Sequence, residues 1–250
     1  MSPPLHGIPA VRLSGRPAVR LSNFEFGELM TVFDAELTHL KEMLLRQGGM
    51  VEAAVREAAL SLTERDSDQA QKVIDEDPLI DALENEIDEE CIRLIAIRSP
   101  KAHDLRLITT AMKINTDLER MGDLAVDLAE RAIEINMEPR IKPYVDIPRM
   151  ATTAQGMIKD ALDAFVQGDV DLAHEVIARD DIEDELTVQI FNELMIFMVQ
   201  DPGIIPRATR ITYAAKYLER LADHATNIAE MVIYLVEGRL IRHNQQTQTP

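Results

Sequence analysis

Thr116-Asp-Leu-Glu-Arg-Met-Gly-Asp-Leu-Ala-Val-Asp-Leu-Ala-Glu130 decides the fold, because nearly the same run returns as Lys216-Tyr-Leu-Glu-Arg-Leu-Ala-Asp-His-Ala-Thr-Asn-Ile-Ala-Glu230. Leu118 and Leu218, Glu119 and Glu219, Arg120 and Arg220, Asp123 and Asp223, Ala125 and Ala225, Ala129 and Ala229, and Glu130 and Glu230 all pair at one offset, 100 (219 − 119). The chain is therefore an internal duplication. On an α-helix, residues about one turn apart share a face. Glu119, Asp123, Asp127 and Glu130 thus form an acidic stripe, and Glu219, Asp223, Asn227 and Glu230 its counterpart. Like charges stacked in this way repel by about 0.2–0.5 kcal/mol per pair. A bound cation would remove that cost, and hard ions such as magnesium, calcium, manganese or ferric iron take oxygen ligands. The stripes are candidate metal sites.

The repeat extends outward from these two runs. Leu62-Thr-Glu-Arg-Asp-Ser-Asp-Gln-Ala70 aligns with Phe165-Val-Gln-Gly-Asp-Val-Asp-Leu-Ala173, and Val73-Ile74 with Val176-Ile177, at an offset of 103 (165 − 62). Apolar spacing predicts helices over 31–64, 67–98 and 104–136 in the first half, and over 148–167, 169–199 and 204–239 in the second. Ser99-Pro100 closes the second helix, and Pro139, Pro143 and Pro148 mark the linker between halves. The expected fold class is all-α: two tandem three-helix bundles related by internal duplication, each closing its own small core. The expected units span 30–138 and 146–240, after a disordered basic leader over 1–29 and before a polar tail over 241–250.

Leu37, Leu40, Leu44, Val51, Val55 and Leu62 should line the buried side of the first helix. Gly48-Gly49 predicts a kink there, at roughly 1 kcal/mol per glycine relative to alanine. Val73, Ile80, Leu83, Ile87, Cys91 and Leu94 should line the second. Met195 and Met198, with Ile196, Phe197 and Val199, read as core filling. Asp77 and Asp81 lie one turn apart, as do Asp180 and Asp184 at the same 103 offset (180 − 77). With helix two antiparallel to helix three, these pairs would face Glu119/Asp123 and Glu219/Asp223, giving four carboxylates from two helices per site. The run Glu84-Asn-Glu-Ile-Asp-Glu-Glu90 reads as a solvated face. His224, about 100° round the helix from Asp223, reads as a surface or satisfied histidine.

Composition narrows the function classes. With 26 basic against 44 acidic residues the net charge is −18, which argues against nucleic-acid binding. Only 10 glycines and 4% aromatics among 250 residues, with 46% apolar, suit a helical protein with a sizeable core. Cys91 is the single cysteine and reads as a buried, inert thiol. No apolar run approaches the roughly 18–20 residues of a membrane span, and no signal peptide is evident; the expected location is cytoplasmic, without membrane insertion. Phosphate-loop, nucleophile-elbow and catalytic Cys/His signatures are absent, so no enzyme is expected. Lys113, Arg106 and Arg207 could attract phosphate but have no glycine-rich loop beside them.

The paired E-x-x-x-D motifs, Glu119-Arg-Met-Gly-Asp123 and Glu219-Arg-Leu-Ala-Asp223, with Asp104-Leu-Arg106 and Asp223-His-Ala-Thr-Asn-Ile-Ala-Glu230, make residues 31–240 resemble the PhoU family. These are accessory regulators of the bacterial phosphate-specific transport system. The resemblance implies two three-helix bundles carrying metal ions or multinuclear clusters (iron, zinc, magnesium or manganese) on the E-x-x-x-D faces. It also implies self-association, as a dimer, and a non-enzymatic role. In that role the protein links the phosphate transporter and its ATPase to a sensor histidine kinase, restraining the phosphate-starvation response. Asp127 opposite Asn227 departs from strict repetition and implies two unlike sites. The rival is a carboxylate di-iron or iron-storage protein of ferritin type, which needs paired Glu-x-x-His motifs; one match, Glu36-Leu-Thr-His39, is present.

Overall fold

The computed structural model describes residues 23–239, with side chains from residue 32 onward. Its helices are α1 (Asn23–Glu64), α2 (Ser67–Glu76), α3 (Pro78–Arg98), α4 (Ala102–Asn136), α5 (Asp146–Gln167), α6 (Val170–Gln200) and α7 (Ile205–Glu237), with a 3₁₀ turn at Pro202–Ile204. No strand occurs among the described residues. The fold is all-α and contains the three-helix plan twice. Helix α1 is described from Asn23, ahead of the expected start at residue 31, so residues 23–29 are helix rather than leader. The rest of the expected leader and the polar tail lie outside the described residues.

The repeated turns have matching chemistry. Asp66 caps α2 by accepting from the Gln69 amide at 3.0 Å, and Asp169 caps α6 by accepting from the Leu172 amide at 3.0 Å. The first unit also differs from expectation in two places. The helix expected over 67–98 is two helices, because Pro78 has no N–H to donate and sits at the first position of α3. The equivalent residue in the second unit is Asp181 (181 − 78 = 103), and α6 runs unbroken. Helix α1 also runs unbroken through Gly48-Gly49, where a kink was expected. There a Cβ on Gly48 would stand 2.1 Å from Leu162 Cδ1, so this glycine lets α1 and α5 pack closely.

The two units do not close separate cores. Helix α1 packs on α4 and α5, and α7 packs on α4 and α5, so these helices form a ring drawn from both units. Helices α2 and α3 lie against α1 and α4 on one flank, and α6 lies against α5 and α7 on the other. A single buried apolar cluster runs from Leu37 in α1 to Leu235 in α7. The residues expected to line the first and second helices are all buried, and the Cys91 thiol is pushed up to about 12 by burial. The expected core filling in α6 holds for Met198, which packs against the core, and Phe197 is half-buried, but it is corrected for the other three residues. Leu194 is buried, but Met195, Ile196 and Val199 are exposed, the last at 77%, because they point away from α5 and α7.

Candidate functional site: two acidic faces

On the first flank, the break before Pro78 leaves Asp77 half-buried against α4. Gly122 makes the approach possible: a Cβ there would lie 3.3 Å from Asp77 Oδ1 and 3.4 Å from Ile80 Cδ1. Burial pushes the Asp77 carboxyl up to about 6, and Asp81 and Asp123 add to the effect. Glu119 is raised by burial, then by Asp123, Glu84 and Asp81, with Arg120 opposing. Asp123 is raised by burial, then by Asp81 and Asp127. These mutual effects place Asp77, Asp81, Glu119 and Asp123 on one face spanning α3 and α4, as the spacing predicted. They also bring in Glu84, which the sequence reading assigned to solvent. Its carboxyl is raised by burial and by Asp88, Asp81 and Asp123. The signal was present in its position three residues after Asp81, on the same helix face. Beneath the face, the Asn115 amide donates to the Glu84 carbonyl and to Asp88 Oδ1, both at 3.0 Å, tying α4 to α3.

The second face is built from α6 and α7 and differs in sign balance. Lys216 donates to Glu219 and lowers both Glu219 and Asp223. The equivalent residue in the first unit is Thr116 (216 − 116 = 100), so that face lacks this cation. Burial nonetheless raises Glu219 and Asp223, with Asp184 adding to each. The residue missed here is Glu183, which is fully buried and pushed up to about 8 by burial, with Asp180 and Glu219 adding. Neither of its oxygens has a well-formed hydrogen bond: the nearby Thr153 hydroxyl eases the charge but donates to the Arg149 carbonyl at 3.2 Å. Glu183 stands where the first unit has Ile80 (183 − 80 = 103), and Thr187 stands where it has Glu84 (187 − 84 = 103). The acid has moved from the rim of one face to the floor of the other.

Two candidate ligands also reach the neighbouring helix. Eight residues along a helix is about 80° past two full turns, which carries Asp127 and Asn227 toward the contact between α4 and α7. The Asn227 amide donates to Asp117 Oδ1 at 3.5 Å, and His224 Nδ1 meets the same oxygen at 2.8 Å. Asp127 acts on Tyr217 of α7 as well as on Asp123. The contact is reciprocal, since Asp117 corresponds to Tyr217 and Asp127 to Asn227 (both at 100). His224 is thus a satisfied histidine joining the two units.

Among the described residues, no three of His, Cys, Asp and Glu converge closely enough to hold an ion in the side-chain arrangement seen. The chemistry of the donors does fit a hard cation: the first face is oxygen-only, part-buried and unrelieved by a lysine. Glu36 of the Glu-x-x-His match is already engaged, bonded to Arg98 at 2.7 and 2.9 Å and to Arg93 at 3.1 Å. No described helix is long and apolar enough to cross a membrane.

A model of the PhoU domain matches the chain twice, over residues 44–132 and 147–232. The phosphate-specific transport system accessory protein PhoU homolog of Pseudomonas putida is 43% identical over 212 residues, covering 84% of this chain and 83% of that protein. The accessory protein PhoU of Escherichia coli K12 is 34% identical over 211 residues, covering 84% of this chain and 88% of that protein. The crystal structure of PhoU from Pseudomonas aeruginosa superposes with a TM-score of 0.79 at 43% identity, covering 83% of this chain and 100% of that one. The phosphate transport system regulatory protein PhoU from Streptococcus pneumoniae gives 0.78 at 30% identity, covering 84% and 99%.

Proposed function

The chain belongs to the PhoU family, and from that premise we propose that it is a non-enzymatic accessory regulator of a phosphate-specific transport system. The observation that carries this reading is that both family matches fall on the helical frame and each contains one E-x-x-x-D face. In the finer reading, the protein works on the cytoplasmic side as a dimer, contacts the transporter ATPase and a sensor histidine kinase, and restrains the phosphate-starvation response when phosphate is plentiful. Control of this kind requires different affinity for two states of the partner, since equal binding shifts neither. A deletion strain should therefore express phosphate-starvation genes in phosphate-rich medium, measured by reporter activity. Normal repression in that strain would remove the regulatory reading. The ferritin-type alternative draws no support from Glu36, which two arginines already hold.

The metal is part of the same proposal. Asp77, Asp81, Glu84, Glu119 and Asp123 would hold a hard cation such as iron, magnesium or manganese, with zinc also a candidate. What the ion supplies is neutralisation of an acidic groove. In the second unit, Asp180, Asp184, Glu219 and Asp223 would do the same work more weakly, because Lys216 already supplies a positive charge. Replacing Glu119 and Asp123 by alanine should abolish metal uptake by the first unit, while the apo variant unfolds at an equal or slightly higher urea midpoint as repulsion is relieved. Uptake should also fall below about pH 6, where Asp77 holds a proton. Elemental analysis showing unchanged metal in the double variant would sink the assignment.

A further inference from the structure

Far from either acidic face, arginines gather where α1 ends, α4 gives way to the 137–145 linker, and α7 begins. About 20 Å of helix separates Asp123 from Asn136 at that end. Arg65 follows α1 with a left-handed backbone, φ 64°, where the second unit has Gly168 at φ 68° (168 − 65 = 103). Glycine takes that conformation freely and arginine does not, so the first unit keeps an arginine at a position shaped for glycine.

Its side chain explains where the strain is directed. Arg65 Nη2 donates to the carbonyls of Asn136 and Glu138, the latter at 2.6 Å, while Nη1 is buried without an acceptor. Arg140 reaches back to the Thr63 carbonyl, two residues before Arg65. Arg207, in the first turn of α7, donates to the Pro139 carbonyl at 2.6 Å, and its buried Nε stands 3.8 Å from Glu138 without a hydrogen bond. Tyr144 completes the group. It is 6% exposed, its hydroxyl makes no well-formed hydrogen bond, and Arg65, the Ile141 backbone, Arg140 and Arg207 act on it.

Tying down the linker accounts for the carbonyl contacts and nothing more. It leaves buried donors unmatched, a costly state for polar groups. It also leaves cations in excess on a chain of net charge −18. Among the described residues, Arg65 and Arg140 bond carbonyls and no carboxylate, and Arg207 shares Glu138 with Arg210. We propose that Arg65, Arg140 and Arg207, with the Tyr144 hydroxyl, form a binding site for a small oxyanion of the phosphate class. Guanidinium groups offer such an ion paired, charge-assisted donors. The cavity beside Tyr144, lined also by Lys142, Asp146, Ile147, Ile190 and Ile211, is about 10 Å³, room for a single water, and includes none of the three arginines. The anion therefore sits outside that cavity, among the arginines, where Arg140 is exposed. The same chemistry is offered by free inorganic phosphate and by a phosphoryl group carried on a partner protein.

The test uses the full chain, stripped of metal by chelation so that phosphate cannot bridge to a cation on an acidic face. Titration calorimetry with inorganic phosphate at constant ionic strength should give saturable binding that chloride does not reproduce. Arg140→Gln and Arg65→Gly should each weaken it at least about tenfold. Circular dichroism should show both folded, since Arg140 is exposed and glycine is what the other unit uses at the second position. No saturable heat with the wild-type chain, or unchanged affinity in both variants, overturns the site. A phosphopeptide binding more tightly than free phosphate would assign the ligand to a partner's phosphoryl group. The reverse order would assign it to the free ion, and in both cases the site stands.

Discussion

The clearest energetic signature at the scale of single residues belongs to Glu183, a carboxyl buried without a well-formed hydrogen bond and pushed from 4.5 to about 8. The folded chain holds its proton where the unfolded chain has released it. Stability from this group is therefore complete below about pH 4.5 and declines as pH rises toward 8. Asp77, raised from 3.8 to about 6, works in the same direction over a lower window. Urea midpoints of the metal-free protein should fall between pH 5 and 8. Glu183→Gln should flatten that slope, by an amount on the order of 2–3 kcal/mol. Identical slopes in the two proteins would show that Glu183 ionises as freely as in water. Asp77, Asp81, Glu119 and Asp123 were legible in the sequence because pairs one turn apart recur in both halves. Glu183 was not, since it takes an apolar phase of the repeat and reads as part of a charged run. The contacts of Asp127 and Asn227 across α4 and α7 were not legible, because drift over two turns carries a residue to the edge of its stripe.

Helices divide by the same test of repetition. The Asp66 and Asp169 caps could be read from aligned turns, and the buried faces of α1 and α3 from their apolar spacing. The break at Pro78 follows from a ring with no donor and occurs in one unit only, so the alignment concealed it. The outer face of α6 misled for another reason: Met195, Ile196 and Val199 have the composition of a core but a phase that points outward. Gly48 shows how a residue read for its helix propensity can serve packing instead. Alanine there improves propensity by about 1 kcal/mol but drives a methyl into Leu162, and overpacking of a buried contact costs about 1–3 kcal/mol. Gly48→Ala should therefore lower the thermal midpoint, while Gly49→Ala, with nothing within 4 Å of its added Cβ, should raise it. A higher midpoint for both would mean that α1 and α5 separate at little cost.

The whole molecule departs from the picture of two independent bundles, because α1, α4, α5 and α7 bury one another across the units. Unfolding should consequently be a single transition in both urea and heat, and residues 140–250 expressed alone should expose the α7 surface that α4 covers. That fragment should bind a hydrophobic dye and lack sharp near-ultraviolet dichroism. A fragment as cooperative as the full chain would show that the shared core is dispensable. The reciprocal contact between α4 and α7, with Asp117 reaching Asn227 and Asp127 acting on Tyr217, has a consequence for descent. Matching patches that meet their own repeats are the mark of an isologous pair. An ancestor of half this length would have had to find a second copy of itself to cover that surface. Fusion through the 137–145 connection turned that search into an encounter at an effective concentration on the order of millimolar. It also freed the halves to diverge, one with Ile80 where the other has Glu183.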